Sequence, residues 1–258
     1  MSPSAKARLS KAKLLVAALM VVAAFEFSVR AISYHGARHV RTSSPIKSPA
    51  PEHSPDRTIL MTGFEVFGGF ADNASWEAVS MAAPSLPKGW RTVKRQLRVI
   101  WGAPLAQLDE AIRTESAEYV FSFGQGNPGA FAIESRARNS RCTKADNDGA
   151  FASDVRIVPN GPDEYSLEKG LAANLAGKLK AEGWPVAVST DAGQYLCEEC
   201  LYSLLHLRAT KYPALKPLFV HVPPLGSSLG GSVVTKEYLR KFVERLIVIR
   251  LQTDGIGY

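Results

Sequence analysis

Apolar and polar positions follow two rhythms along this chain. Short apolar or β-branched runs at 58–62, 91–99, 119–123, 185–190 and 217–222 have the pattern of strands. Residues 130–138 alternate apolar and polar in part, as a half-exposed strand does. Between these runs, 75–83, 104–114, 165–182 and 235–251 repeat apolar residues every three to four positions and predict helices; Asn73 is placed to cap the first. A further helix follows the small-residue turn around Gly193, because Cys197, Leu201, Leu204 and Leu205 fall at i, i+4, i+7 and i+8 on one apolar face. Strands separated by helices predict an α/β domain: a three-layer α/β/α sandwich around a mixed, mostly parallel sheet. No internal repeat is visible.

The first 57 residues have a different character. Lys6, Arg8, Lys11 and Lys13 precede an unbroken apolar run at 14–24, the order of a basic n-region and an apolar core in a secretory signal peptide. That run is shorter than the ~20 residues a spanning helix needs. Residues 1–31 are therefore expected to be a signal peptide, or else an uncleaved anchor tethering the chain to a membrane through residues 14–27. Residues 32–57 are rich in proline and serine and predict a stiff, disordered linker, leaving 58–258 as the folded domain. Charge divides at the same place. Residues 1–57 hold nine Lys/Arg against three Asp/Glu, whereas the remainder holds 22 against 21. Of the formal net charge of +7, +6 thus belongs to the leader, and the near-neutral domain excludes nucleic-acid binding.

Strand ends are where open α/β sheets bind ligands, and several chemically capable residues lie there. Cys197 falls at or near the first turn of its helix, where unpaired N–H groups and the helix dipole favour a thiolate, so it is a candidate nucleophile. Such a nucleophile needs a base and an orienting group. His221 closes the 217–222 strand and is the better base; His206 lies nine residues into the Cys197 helix. Glu134, Asp146 and Glu65 are all candidates for the orienting carboxylate. Gly124-Gln125-Gly126 lacks the third glycine of a dinucleotide fingerprint, and no Walker lysine is present. Cys197 and Cys200 have thioredoxin-like spacing but no second pair for zinc, so neither metal nor cofactor is expected. A thiol–disulfide protein is one alternative reading.

Four separated blocks resemble those of pyroglutamyl peptidase I, the pyrrolidone-carboxylate peptidase family of cysteine peptidases. They are Thr62-Gly63-Phe64-Glu65-Val66-Phe67-Gly68-Gly69 with Asn73-Ala74-Ser75-Trp76-Glu77-Ala78; Gly124-Gln125 with Glu134, Ala137 and Asn139; Ala192-Gly193-Gln194-Tyr195-Leu196-Cys197 with Tyr202, Leu204, Leu205 and His206; and Phe219-Val220-His221-Val222-Pro223. The resemblance implies a Cys197, His221, Glu134 triad that removes N-terminal pyroglutamyl residues from peptides through a thioester. It further implies that Phe64 and Phe67 sandwich the pyroglutamyl ring while Asn73 and Gln125 meet its lactam. The chain departs from the family in Ser135, in a shortened 124–134 loop carrying Asn127-Pro128, and in Glu198, which replaces an asparagine after the nucleophile. A carboxylate beside the thiolate would offset the help that the helix dipole gives it, which motivates the alternative of a catalytically inactive pyroglutamyl-peptide-binding protein. Export, to a periplasmic or extracellular location, also departs from a family that is largely cytoplasmic. In an oxidising compartment Cys200 is expected to pair with Cys197 or with Cys142.

Overall fold

The computed structural model describes residues 57–257. The expected signal or anchor segment, and the linker up to residue 56, lie outside the described residues. Ten strands and five helices follow one another as β1 (Arg57–Phe64), α1 (Ala74–Met81), β2 (Trp90–Leu97), α2 (Ala103–Glu115), β3 (Ala117–Gln125), β4 (Phe131–Glu134), β5 (Arg136–Arg138), β6 (Glu164–Ser166), α3 (Leu171–Ala181), β7 (Val186–Ser189), α4 (Leu196–Thr210), β8 (Lys216–Val222), β9 (Ser228–Leu229), β10 (Ser232–Val233) and α5 (Lys236–Thr253). Among the described residues no helix is long and apolar enough to cross a membrane.

Six strands form one sheet in the order β2-β1-β3-β8-β4-β7. The first four run parallel to one another. β4 is antiparallel to β8 and parallel to β7, so the last two strands run opposite to the rest and the sheet is mixed but mostly parallel. Helices α1 and α3 pack with α5, and α2 packs with α4, giving two helical layers with the sheet between them. The core accordingly takes side chains from both faces of the central strands: Tyr119, Phe121 and Phe123 alternate with Val120 and Ser122 along β3, all of them buried. Phe131 stacks on Phe242 of α5 with ring centroids 3.5 Å apart, joining the antiparallel end of the sheet to the closing helix.

Local signals set the helix starts. The Asn73 Oδ1 accepts the Ser75 N–H at 3.0 Å at the head of α1, and the Thr235 Oγ1 accepts the Tyr238 N–H at 3.1 Å at the head of α5. Side-chain caps of this kind contribute about 1 kcal/mol each.

Three sequence expectations change. The stretch 130–138 is two strands in different sheets. The break is at Ser135, whose N–H and Oγ both donate to the Ser189 carbonyl at 2.8 Å; beyond it the chain leaves the main sheet, and β5 pairs antiparallel with β6. The helix expected from residue 165 begins only at Leu171, because 164–166 is the partner strand of β5 and Gly170 takes a left-handed conformation, φ 79°, in front of the helix. Finally, α4 is not half-exposed: Glu198, Glu199 and Cys200 are buried along with Leu201, Leu204 and Leu205. The small β5–β6 sheet packs over its outer side, where surface helices normally meet water.

Candidate active site

The carboxyl ends of β1, β3 and β8 lie at one edge of the sheet, and every residue of the candidate site is delivered there. On β8, His221 pairs in register with Gly124 of β3 on one side and Ala132 of β4 on the other. Because β4 runs the opposite way, its last residue, Glu134, lies a diagonal step from His221 on the same face of the sheet. The His221 Nδ1 and Glu134 Oε1 are 2.8 Å apart, with Glu134 almost fully buried. The other carboxylates considered from sequence are committed elsewhere. Asp146 accepts the N–H groups of Trp101, Asp148 and Ala150, and Glu65 accepts the Val99 N–H. His206 meets the Tyr165 hydroxyl at 3.2 Å and stacks on Tyr202, away from the site.

Cys197 arrives from a different direction than the sequence suggests. β7 ends beside Glu134, with Ser189 in register with it, and segment 190–195 carries the chain on to the start of α4. Tyr195 is the N-cap and makes no side-chain cap, so Cys197 sits in the first turn, where the backbone N–H groups have no intrahelical acceptor. The approach of sulfur and imidazole depends on glycine. A Cβ at Gly124 would lie 2.7 Å from the Cys197 Sγ and 3.2 Å from the His221 Cδ2, and one at Gly126 would lie 2.7 Å from the His221 Cβ. Thus Gly124-Gln125-Gly126, whose glycines carried no role in the sequence beyond an incomplete nucleotide motif and a family block, is the clearance on which nucleophile and base meet.

His221 presents its Nδ1 to Glu134 and its Cδ2 edge to the side of Gly124 that Cys197 occupies. Burial works against charging the ring, yet the Cys197 thiolate and Glu134 outweigh it and push the imidazole up to about 10. The site therefore holds a charged imidazole between the nucleophile and Glu134. Cys142, Cys197 and Cys200 are all free thiols. Cys200 is fully buried against Ser122, and burial pushes its thiol up, so it is a poor nucleophile for exchange with Cys197.

Two connected spaces open at the thiol. One, of about 230 Å³, is lined by Phe64, Phe67, Asn73, Val99, Gln125, Tyr195, Leu196 and Cys197. Apart from the nucleophile and the Tyr195 phenol, none of these side chains is acidic or basic in kind. The other, of about 1310 Å³, is a cleft reaching past His221 to Pro128, Asp191 and Phe70. Phe67, Gln125, Tyr195 and Cys197 belong to both. Asn73, chosen from sequence to meet a ligand, spends its carboxamide on the fold. Its Oδ1 accepts the Ser75 N–H and Oγ–H, and its Nδ2 donates to the Glu65 carbonyl. The Gln125 Oε1 accepts the Ala74 N–H at 2.8 Å, which leaves its Nε2 as the amide donor at the pocket. Tyr195, Val99 and Leu196 were not found from sequence, since their place in the wall depends on where the segment after β2 and the start of α4 come together at the pocket. Tyr195 lies edge-on to Trp101, with the Lys144 Nζ 4.6 Å from its ring centroid.

A family model described as pyroglutamyl peptidase matches residues 57–236. The pyrrolidone-carboxylate peptidase of Escherichia fergusonii is 33% identical over 205 residues, covering 77% of this chain and 95% of that protein. The pyrrolidone-carboxylate peptidase of Streptomyces coelicolor is 36% identical over 167 residues, 64% of this chain and 77% of its own. Among solved structures, pyrrolidone carboxyl peptidase from Fervidobacterium islandicum superposes with a TM-score of 0.68 at 31% identity, covering 76% of this chain and 99% of that one. Pyroglutamyl peptidase I from Bacillus amyloliquefaciens gives 0.68 at 25% identity, covering 75% and 94%. With a family model spanning most of the chain and its fold shared by solved members, the chain belongs to the pyroglutamyl peptidase family.

Proposed function

We propose that this protein is a cysteine peptidase that hydrolyses the bond after an N-terminal pyroglutamyl residue, with Cys197 as nucleophile, His221 as acid and base, and Glu134 as the group that orients His221. One observation carries the substrate choice: the pocket beside the thiol is small and aromatic, and the nucleophile aside it holds no carboxylate, ammonium or guanidinium group. An ordinary peptide N-terminus is an ammonium group, and burying it with no counter-charge is costly. Pyroglutamate has closed its amine into a neutral lactam and escapes that cost. Its flat ring fits between Phe64 and Phe67, the Gln125 Nε2 donates to the lactam carbonyl, and Asn73 holds the wall through its bonds to α1 and to the Glu65 carbonyl.

The Cys197 thiolate attacks the pyroglutamyl carbonyl. The resulting oxyanion is met by free N–H groups in the first turn of α4. His221, its Nδ1–H held by Glu134, gives its proton to the departing amine, and the rest of the peptide leaves through the larger cleft. His221 then takes a proton from water, which hydrolyses the thioester and frees pyroglutamate. The test is release of a fluorophore from pyroglutamyl and prolyl amides. A lactam-binding site loses a hydrogen bond with proline and acquires a buried charge, so the prolyl amide is expected to be cut at least ~10³-fold more slowly in kcat/KM. Equal kcat/KM for the two would overturn the assignment.

The basic and apolar order of residues 1–27 supports a second proposal, that the peptidase is exported and acts outside the cytoplasm, either freed by cleavage near residue 31 or tethered through residues 14–27. Cell fractionation with mass spectrometry of the mature N-terminus tests it; an intact Met1 in the soluble cytoplasm would refute it.

A further inference from the structure

We propose that Arg138 and Glu198 form a charge clamp that positions the nucleophile: it sets the turn that delivers Cys197 and neutralises the carboxylate that follows it. The proposal rests on the peptidase reading for its kinetic consequences but not for its structural ones. Glu198 is fully buried one residue past the thiol. Its Oε1 accepts the Arg138 backbone N–H at 2.6 Å, and its Oε2 accepts the Arg138 Nη2 at 3.2 Å and the Gln194 N–H at 3.3 Å. The same Arg138 Nη2 donates to the Asp191 Oδ1, which also accepts the Gly193 N–H at 3.0 Å. One guanidinium and two carboxylates therefore hold residues 191–194 at both ends.

What they hold is a strained turn. Gly193 and Gln194 both have left-handed backbones, with φ 89° and 61°, and a residue with a Cβ adopts that region only when its surroundings enforce it. The N–H groups of these two residues are the ones Asp191 and Glu198 accept. Tyr195 and the uncapped start of α4 follow at once, while Asp191 and Gly193 form part of the cleft wall. Relaxing the turn would move both the thiol and the cleft.

The clamp also has an electrostatic consequence. A carboxylate in the first turn of α4 would complement the helix dipole, and it competes there with the thiolate and with any oxyanion. Facing Glu198 are Arg138 from β5 and, through that guanidinium, Asp191 from the turn; facing Cys197 are His221 from β8 and, behind it, Glu134 from β4. Arg138 is the only cation among these that touches Glu198, so it cancels the charge closest in sequence to the nucleophile.

The experiment compares full-length wild type, Arg138→Met, Glu198→Gln and the double variant by two measurements. One is hydrolysis of a pyroglutamyl amide. The other is the rate of Cys197 alkylation by iodoacetamide at pH 7, followed by peptide mass spectrometry to separate it from Cys142. In Arg138→Met, kcat is expected to fall on the order of 100-fold with KM nearly unchanged, because the thiol is displaced while the Phe64 and Phe67 pocket is not. Alkylation slows as well, since only the thiolate reacts. Removing the orphaned charge in the double variant restores most of the alkylation rate. Wild-type behaviour of Arg138→Met, or a double variant no better than Arg138→Met, overturns the clamp. Should Arg138→Met fail to fold, Arg138→Lys carries the test: it keeps the charge but not the reach to both acids, so alkylation stays at the wild-type rate while kcat falls. Parallel loss of both in Arg138→Lys would also overturn it. An inactive wild type would refute the peptidase reading alone, because alkylation needs no substrate.

Discussion

His221 sits at the point where burial and charge oppose each other, and its protonation decides how the site works. Its pKa of about 10 means that the ring is charged across the neutral range, against an unperturbed value near 6.5. A group whose folded-state pKa is raised contributes stability that is fully present below the unfolded value and is lost as pH rises through the folded one. The stability due to this pair is therefore complete below about pH 6.5 and fades towards pH 10. Urea unfolding measured across that range should show the decline, and in Glu134→Gln it should be smaller and end at lower pH, because one of the groups that raises His221 has lost its charge. An identical profile in the variant would remove Glu134 from the account. Kinetically, Cys197→Ala should abolish turnover and His221→Ala nearly so. Glu134→Gln should lower kcat on the order of 100-fold or more while changing KM little, since orientation of the imidazole counts most in the transition state. Undiminished turnover in purified Cys197→Ala protein would end the mechanism.

At the scale of elements, the β3–β4 connection shows how tightly backbone and chemistry are matched. The Gly124 Cα faces the Cys197 sulfur so closely that a methyl group there would sit 2.7 Å from it. Gly124→Ala is therefore expected to cost about 1–3 kcal/mol of stability, as overpacking does, but nearly all activity, because the atom that must give way is the nucleophile. Thermal unfolding and kcat/KM on the same sample check this, and wild-type kcat/KM would contradict it. The sequence carried much of this architecture. Apolar periodicity located the five helices of the described residues and the central strands, and it placed Cys197 at or near the first turn of α4, since these signals are local. The four motif blocks pointed to Cys197, His221 and Glu134, although spacing alone left Asp146 and Glu65 as equals of Glu134. Only strand direction separates them: β4 runs against β8 and brings Glu134 diagonally to His221. The β5–β6 pair, and the burial of Glu198 and Glu199 beneath that part of the fold, were not legible. Arg138 and Arg141, which neutralise those two acids, are about sixty residues away in sequence and no periodicity links them. Glu198, the reason for considering an inactive protein, instead points to Arg138 and to backbone N–H groups.

At the scale of the whole molecule, chemistry and charge occupy different parts of the chain. Every residue of the candidate site lies within 57–257, and the family match begins at residue 57, whereas the surplus of positive charge lies in 1–57. Arg57 itself belongs to the folded part. It opens β1, pairs with Glu118 of β3 and lies 4.0 Å over the Trp90 ring. These contacts tie the first residue of β1 to both of its neighbouring strands, so a truncation has to spare it. Deleting residues 1–54 should leave kcat/KM for a pyroglutamyl amide and the midpoint of thermal unfolding close to those of the full-length protein, because no described contact of the site is removed. Extending the deletion through Arg57 should lower the midpoint by a few degrees, matching about 1 kcal/mol for a partly exposed ion pair and cation–π contact in a domain of this size. The same 1–54 deletion should leave the enzyme in the soluble cytoplasm if the leader is the export signal. A shortened protein that folds but has lost its activity would show that the leader contributes to the site, and would overturn the division of the chain into a targeting segment and a self-sufficient catalytic domain.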